Sequence, residues 1–228
     1  MFRYKDNSLQ WSGIDMPKML ADCTQRLLAD FQYRGPFWLY QENILTERLA
    51  LLEQGLPGCS FYYSVKSQSN LTILSRIAAH SRFGADVVSG GELYRALKAG
   101  FKPEKIVFAG VGKTEVEITA ALDFGIRSLH VESVSELREI HRIAEAKGLV
   151  ARVTLRLNPD VEVDTHRHIT TGKEENKFGL SESDFSEALA IIGNSTFLKL
   201  VGLQAHIGSQ IFDVAPYVKT AQFLFDKM

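Results

Sequence analysis

Apolar stretches begin near Phe61, Gly84, Ile106, Ser128 and Val150, so the steps between them are 23, 22, 22 and 22 residues. No other feature narrows the fold so far. The stretches are short and rich in β-branched or aromatic residues, as strands are, and each interval has room for one helix with its turns. The intervals carry helix signals of their own. Ser89 with Glu92, Thr114 with Glu117 and Ser133 with Glu136 fit the capping box, whose side chains satisfy the N–H groups a helix start leaves orphaned. Leu93 and Leu97, then Leu137, Ile140 and Ala144, recur at helical spacing. Gly100, Gly125 and Gly148 stand where a left-handed residue ends a helix. Repeated strand–helix units predict an α/β fold with a parallel sheet, and their regular pitch favours a (β/α)₈ TIM-type barrel over an open sheet.

The rest of the chain fits this frame less evenly. Residues 1–35 read as an irregular N-terminal segment with one amphipathic helix, Pro17 to Phe31, carrying Met19, Leu20, Leu27 and Leu28 on its apolar side. The barrel domain is expected over residues 36–228. Phe37–Tyr40 reads as its first strand, and Thr46–Gln54 as a helix stopped by Gly55 and Pro57. Val153–Leu157 is a strand, but the next run, Leu200–His206, starts 50 residues after Val150. That interval holds a helix near Ser181–Ile192 and a polar loop, Asn158–Gly179, of a length that usually serves function. Counting from Phe61 gives about six of eight βα units before Met228, whereas a complete barrel takes about 250 residues, so the barrel is expected to be incomplete.

Composition closes off several function classes. With 45% hydrophobic residues, 23% charged residues and a net charge of -1, the chain has no basic excess for nucleic acid or an anionic membrane. It has no 18-residue apolar run and no signal-peptide core, and Cys23 and Cys59 have no metal or redox spacing. A reduced, cytoplasmic protein is expected.

The candidate chemistry sits at strand ends. Phe61–Val65 is a strand-type run that closes on Lys66 and a polar turn, Ser67–Asn70. The C-terminal rim of a parallel barrel is where reactive side chains gather, and the apolar run would desolvate the ammonium and favour an amine able to attack a carbonyl. Asp86 is a carboxylate within an apolar strand and needs a partner, Lys66 or Arg156. His206, followed by Gly208 and Ser209, could offer a flat platform and an anion contact at another strand exit. Ala109–Thr114 invites a P-loop reading, but Val107 occupies the position of the required first glycine, so a βα turn and helix cap are expected instead. His166 and His168, with Asp164 nearby, form no convincing metal set. No metal is expected.

Taken together, Tyr62–Lys66, Gly84–Leu93, Val131–Ser133, Arg156–Pro159, Ile169–Gly172, Lys177–Gly179 and His206–Gln210 resemble the alanine-racemase-type barrel decarboxylases that use pyridoxal 5'-phosphate. The resemblance implies that Lys66 holds the cofactor aldehyde as a Schiff base and later serves as a proton donor. It also implies that His206 stacks on the ring, Ser209 contacts the phosphate and Asp86 lies beside the lysine with Arg156 near. Decarboxylation of an amino acid follows, with meso-diaminopimelate, giving L-lysine, as the first expected substrate. Ornithine, lysine, arginine, carboxynorspermidine or a carrier-bound amino acid are alternatives, as is a non-catalytic relative that binds the cofactor or a partner. The family usually has Ala-Asn after its lysine, where this chain has Ser67-Gln68, and an aromatic residue where His168 stands. Its C-terminal β-domain, with which residues 1–35 would pack, lies beyond Met228, as do the phosphate loop and the acid facing the pyridine nitrogen. The 228 residues alone are therefore expected to be poorly active, and the complete form to be a homodimer.

Overall fold

The computed structural model describes residues 2–159, 178–209 and 211–228. The chain divides into two compact units, Met1–Leu51 and Leu52–Met228. The segment expected to be irregular opens instead with an antiparallel sheet of β1 (Phe2–Lys5), β2 (Ser8–Trp11) and β3 (Ile14–Asp15). Its two-residue turns explain it. Asp6-Asn7 and Ser12-Gly13 all take positive φ, the geometry that matches the twist of paired strands. Phe2 stacks on Trp11 with ring centroids 5.6 Å apart. Helix α1 (Met16–Phe31) follows, capped by Asp15, whose carboxylate accepts from the Lys18 N–H. Met19 and Leu27 are half-buried on it, while Leu20 and Leu28 are exposed. Helix α2 (Glu42–Gly55) starts four residues before the expected Thr46. Phe37–Tyr40 forms no strand: no ladder includes it, and Trp38 is 88% exposed. An apolar run becomes a strand only where a neighbour accepts its backbone hydrogen bonds.

The larger unit is a six-stranded parallel sheet in the order β4 (Phe61–Ser64), β5 (Phe83–Val87), β6 (Ile106–Phe108), β7 (Ser128–Val131), β8 (Ala151–Leu157), β9 (Leu198–Ala205). A helix follows each strand: α3 (Leu71–Ala78), α4 (Gly90–Lys98), α5 (Glu115–Phe124), α6 (Val134–Lys147), α7 (Glu182–Gly193) and α8 (Ala215–Asp226). A doubly wound sheet reverses its strand order at a switch point, whereas here the order never reverses. The sheet is six consecutive units of a (β/α)₈ barrel.

Strand alternation divides the side chains into two layers. Ala85, Val87, Ile106, Phe108, Leu129, Val131, Val153 and Leu155 are buried and face the helices. Leu74, Leu93, Ile118, Leu137 and Phe185 meet them from the helical side and complete the core. The opposite parity lines the interior, where Tyr62, Asp86, Val107, Ser128, His130, Thr154 and Gln204 border a cavity of about 350 Å³. Between β8 and β9 the register slips by one residue after Val153, so Thr154 pairs with Gly202 and Arg156 with Gln204. The bulge keeps the far end of β9 in step with its neighbour.

Candidate active site at the barrel rim

The interior parity continues past the strand ends and selects the candidate residues. Ser64 pairs with Asp86, and Lys66 lies two residues on. Val131 pairs with Leu155, so Glu132 and Arg156 emerge side by side. Arg156 pairs with Gln204, and His206 lies two residues beyond it. Lys66, Asp86, Glu132, Arg156 and His206 thus leave adjacent or near-adjacent strands on one face and at one end.

Each has a local cause. Strand β4 stops at Ser64, and a single 3-10 turn, Val65–Ser67, carries the chain over the rim. Buried Val65 anchors this turn, while Lys66 is exposed. The desolvation expected for Lys66 does not form, because its amine clears the apolar layer by that turn. Ser67-Gln68 are engaged in the same turn. The Ser67 hydroxyl donates to the Ser64 carbonyl at 2.7 Å, and Gln68 Oε1 accepts from the Asn70 N–H at 3.0 Å.

Asp86 is half-buried, and among the described residues its Oδ1, Ser64 Oγ and His130 Nδ1 are buried without a well-formed hydrogen bond, although the nearby Ser64 hydroxyl still helps to lower the Asp86 carboxyl. Burial pushes the Asp86 carboxyl up to about 6, with the Lys66 charge only partly opposing it. Burial, helped by Lys113 and Arg156, lowers His130 to about 4, so its imidazole is neutral near pH 7. His206 is exposed as a whole, yet partial desolvation and then the charges of Arg156 and Lys66 hold it below its ordinary value. These mutual influences place Lys66, Asp86, Glu132, Arg156 and His206 within one electrostatic neighbourhood.

Arg156 does not hold Asp86. It makes a short ion pair through Nη1 to Oε2 of Glu132, with side chains 14% and 2% exposed. The register is the reason, since Glu132 leaves the neighbouring strand β7 whereas Asp86 is three strands away. Ser209 is exposed in the loop after β9.

Sequence reasoning also passed over Glu132, Glu92 and Lys113 as site-shaping residues. Glu92 and Glu136 read as capping-box acids, but each carboxylate reaches one residue further back. Glu92 Oε2 accepts from the Val88 N–H, and Glu136 Oε2 from the Glu132 N–H. Only the Thr114–Glu117 box among the three closes in full. The signal for Glu132 was the one that singled out Asp86, a carboxylate adjoining an apolar strand. In Ala109–Thr114, Gly110 takes φ +101 and Thr114 caps α5.

The set fits pyridoxal phosphate chemically: an accessible amine for the aldehyde, a carboxyl that titrates near neutrality, a neutral imidazole and an anchored guanidinium. Asp86 Oδ1 and Ser64 Oγ, which lack a well-formed hydrogen bond among the described residues, are polar atoms that a bound group could satisfy. His166, His168 and Asp164, with the Ile169–Gly172 and Lys177 motif positions and Gln210, lie outside the described residues. Among the described residues, no group of three or more His, Cys, Asp or Glu is placed to hold a metal ion. No helix among them is long and apolar enough to cross a membrane.

Residues 42–228 match the family model of the pyridoxal-dependent decarboxylase, pyridoxal binding domain. A diaminopimelate decarboxylase of Helicobacter pylori is 43% identical over 83% of this chain and 47% of its own length. One from Zymomonas mobilis is 38% identical over 99% of this chain and 52% of its own length. The solved diaminopimelate decarboxylase of M. jannaschii in complex with L-lysine superposes with a TM-score of 0.83 at 30% identity, covering 99% of this chain and 52% of that one. The chain spans about half the length of the curated relatives it matches.

Proposed function

This chain belongs to the pyridoxal-dependent decarboxylases, and from that premise we propose that it is the cofactor-holding half of an enzyme that converts meso-diaminopimelate to L-lysine and CO₂. The observation that carries the reading is the convergence of Lys66, Asp86, Arg156 and His206 on the interior parity of one rim. The L-lysine held by a solved relative is the product this reaction would leave. When bound, pyridoxal phosphate supplies the electron sink that lets an α-carboxylate depart as CO₂.

The chain's own residues would do the rest. Lys66 presents an exposed amine on a turn fixed by Val65 and by the Ser67–Ser64 hydrogen bond, so it can attach the cofactor aldehyde and later return a proton from Nζ. Asp86, titrating near 6, can hold or release a proton at Oδ1 beside that lysine. His206, kept neutral, would lie against the cofactor ring without adding positive charge, and Ser209 would donate to its phosphate. Arg156 brings a fixed positive charge, held in place by Glu132. Residues 1–35 would pack with a C-terminal β-domain in a complete, homodimeric, cytoplasmic enzyme. The free thiols of Cys23 and Cys59 suit that reducing compartment.

The substrate is tested with this chain fused to the C-terminal half of the Helicobacter pylori relative. CO₂ release is measured from meso-diaminopimelate, ornithine, lysine, arginine and carboxynorspermidine. Release from meso-diaminopimelate above the others, with L-lysine formed, is expected. Preference for another amino acid would overturn the substrate, and a fusion that binds the cofactor but releases CO₂ from none would make the protein a carrier.

A further inference from the structure

Lys113 stands in the turn that imitates a phosphate-binding loop, yet its side chain is only 1% exposed. A buried ammonium is costly unless all three of its donors are satisfied, and here they are. Nζ donates to the Gly110 carbonyl at 2.7 Å, to the His130 carbonyl at 2.6 Å and to Glu136 Oε1 at 2.7 Å. One cation therefore ties the β6–α5 turn to strand β7 and to the first turn of α6.

The ties continue toward the rim. Glu136 uses its second oxygen, Oε2, to accept from the Glu132 N–H at 2.7 Å. Glu132 in turn accepts from the Gly110 N–H at 2.8 Å through Oε1 and from Arg156 through Oε2. The Gly110 peptide is thus gripped on both sides, at its carbonyl by Lys113 and at its N–H by Glu132. Its φ of +101 is one that a side chain would resist, so the turn has little freedom to be rebuilt around another residue. Two cations, Lys113 and Arg156, flank two anions, Glu136 and Glu132, and the acids are joined to each other through the Glu132 backbone N–H. Every member except Arg156 is also bonded to backbone. Arg156 ends this path with its guanidinium 5.7 Å from the Phe178 ring centroid, and its charge acts on His206.

We propose that Lys113 is a positioning residue for the cofactor site, acting through Glu136 and Glu132 to fix the guanidinium of Arg156 on the rim. The proposal rests on the pyridoxal-phosphate reading of that rim, but its first readout does not need the cofactor. That readout is the NMR titration of His206 in the full 228-residue chain, assigned with His206→Gln. The charges that act on His206 are those of Arg156, Lys66 and Glu132. If Lys113 holds Arg156 in place, Lys113→Met frees the guanidinium and the His206 pKa rises toward its ordinary value.

Lys113→Met strands a largely buried carboxylate, so it can fail by unfolding alone. Lys113→Met with Glu136→Gln removes both charges together and avoids this. A rise in the His206 pKa is expected in the double variant as well. Pyridoxal phosphate, titrated by absorbance, should bind each folded variant about tenfold more weakly, the scale on which side chains that orient a ligand's contacts act. An unchanged His206 titration with unchanged cofactor affinity would overturn the assignment. Loss of a cooperative melt in both variants would also overturn it, making Lys113 a residue of stability only. Failure of the unsubstituted chain to bind pyridoxal phosphate would instead count against the parent reading, and the His206 titration would still decide this one.

Discussion

Asp86 and His130 line the same interior cavity with opposite proton preferences. Between 3.8 and about 6, folded Asp86 retains a proton that the unfolded chain has released, so its contribution to stability falls as pH rises. Between about 4 and 6.5, unfolded His130 holds a proton that the folded imidazole lacks, so stability rises with pH. The two oppose each other across the shared window, each with a slope of at most about 1.4 kcal/mol per pH unit. Asp86→Asn should therefore steepen the gain in stability from pH 4 to 6, and His130→Gln should turn it toward a loss. Urea melts across that range check this, and profiles parallel to the unsubstituted chain would contradict it. Glu132→Leu should cost about 3–5 kcal/mol, because it leaves the Arg156 charge and the Gly110 N–H without their acceptor. Asp86 was legible in the sequence because a carboxylate inside an apolar strand demands explanation. Its relation to Arg156 was not, since partner choice depends on which strands are neighbours, and the register gave Arg156 to Glu132.

At the scale of elements, the 22-residue pitch was legible because each βα unit carries its own start and stop signals. Thr114 and Glu117 do close as the sequence implies, and Gly125 and Gly148 end their helices in the left-handed region. The N-terminal hairpins were also written in the sequence, as Asp6-Asn7 and Ser12-Gly13, but polar dipeptides among short strands carry little periodicity to flag them. The reverse held at Phe37–Tyr40, where strand-type residues have no ladder to join. Gly84 shows how closely β5 is fitted. A Cβ there would come within 2.2 Å of the Lys105 carbonyl oxygen and 2.8 Å of the Tyr62 ring. Gly84→Ala should therefore destabilise the chain by about 1–3 kcal/mol and displace Tyr62 from the interior wall. Thermal melting and Tyr62 chemical shifts check this, and an alanine tolerated without change would contradict the fit.

On the scale of the whole molecule, the sheet has β4 and β9 as its edges. Strand β9 is eight residues long, and the exposed bulge residue Val201 lines a recess together with Phe185, Leu189, Leu200 and Leu203. A long apolar edge templates association, and a lysine on such an edge opposes it. Light scattering from the 228-residue chain should grow with concentration and fall in Val201→Lys, whereas equal scattering would place the association elsewhere. One chemical experiment reaches the cofactor site at the rim directly. The chain is mixed with pyridoxal phosphate, reduced with borohydride, digested and weighed, beside Lys66→Ala. A phosphopyridoxyl group confined to the Lys66 peptide, and lost in Lys66→Ala, is the expected result. Label spread over many exposed lysines, and unchanged by Lys66→Ala, would contradict an organised cofactor site in this chain.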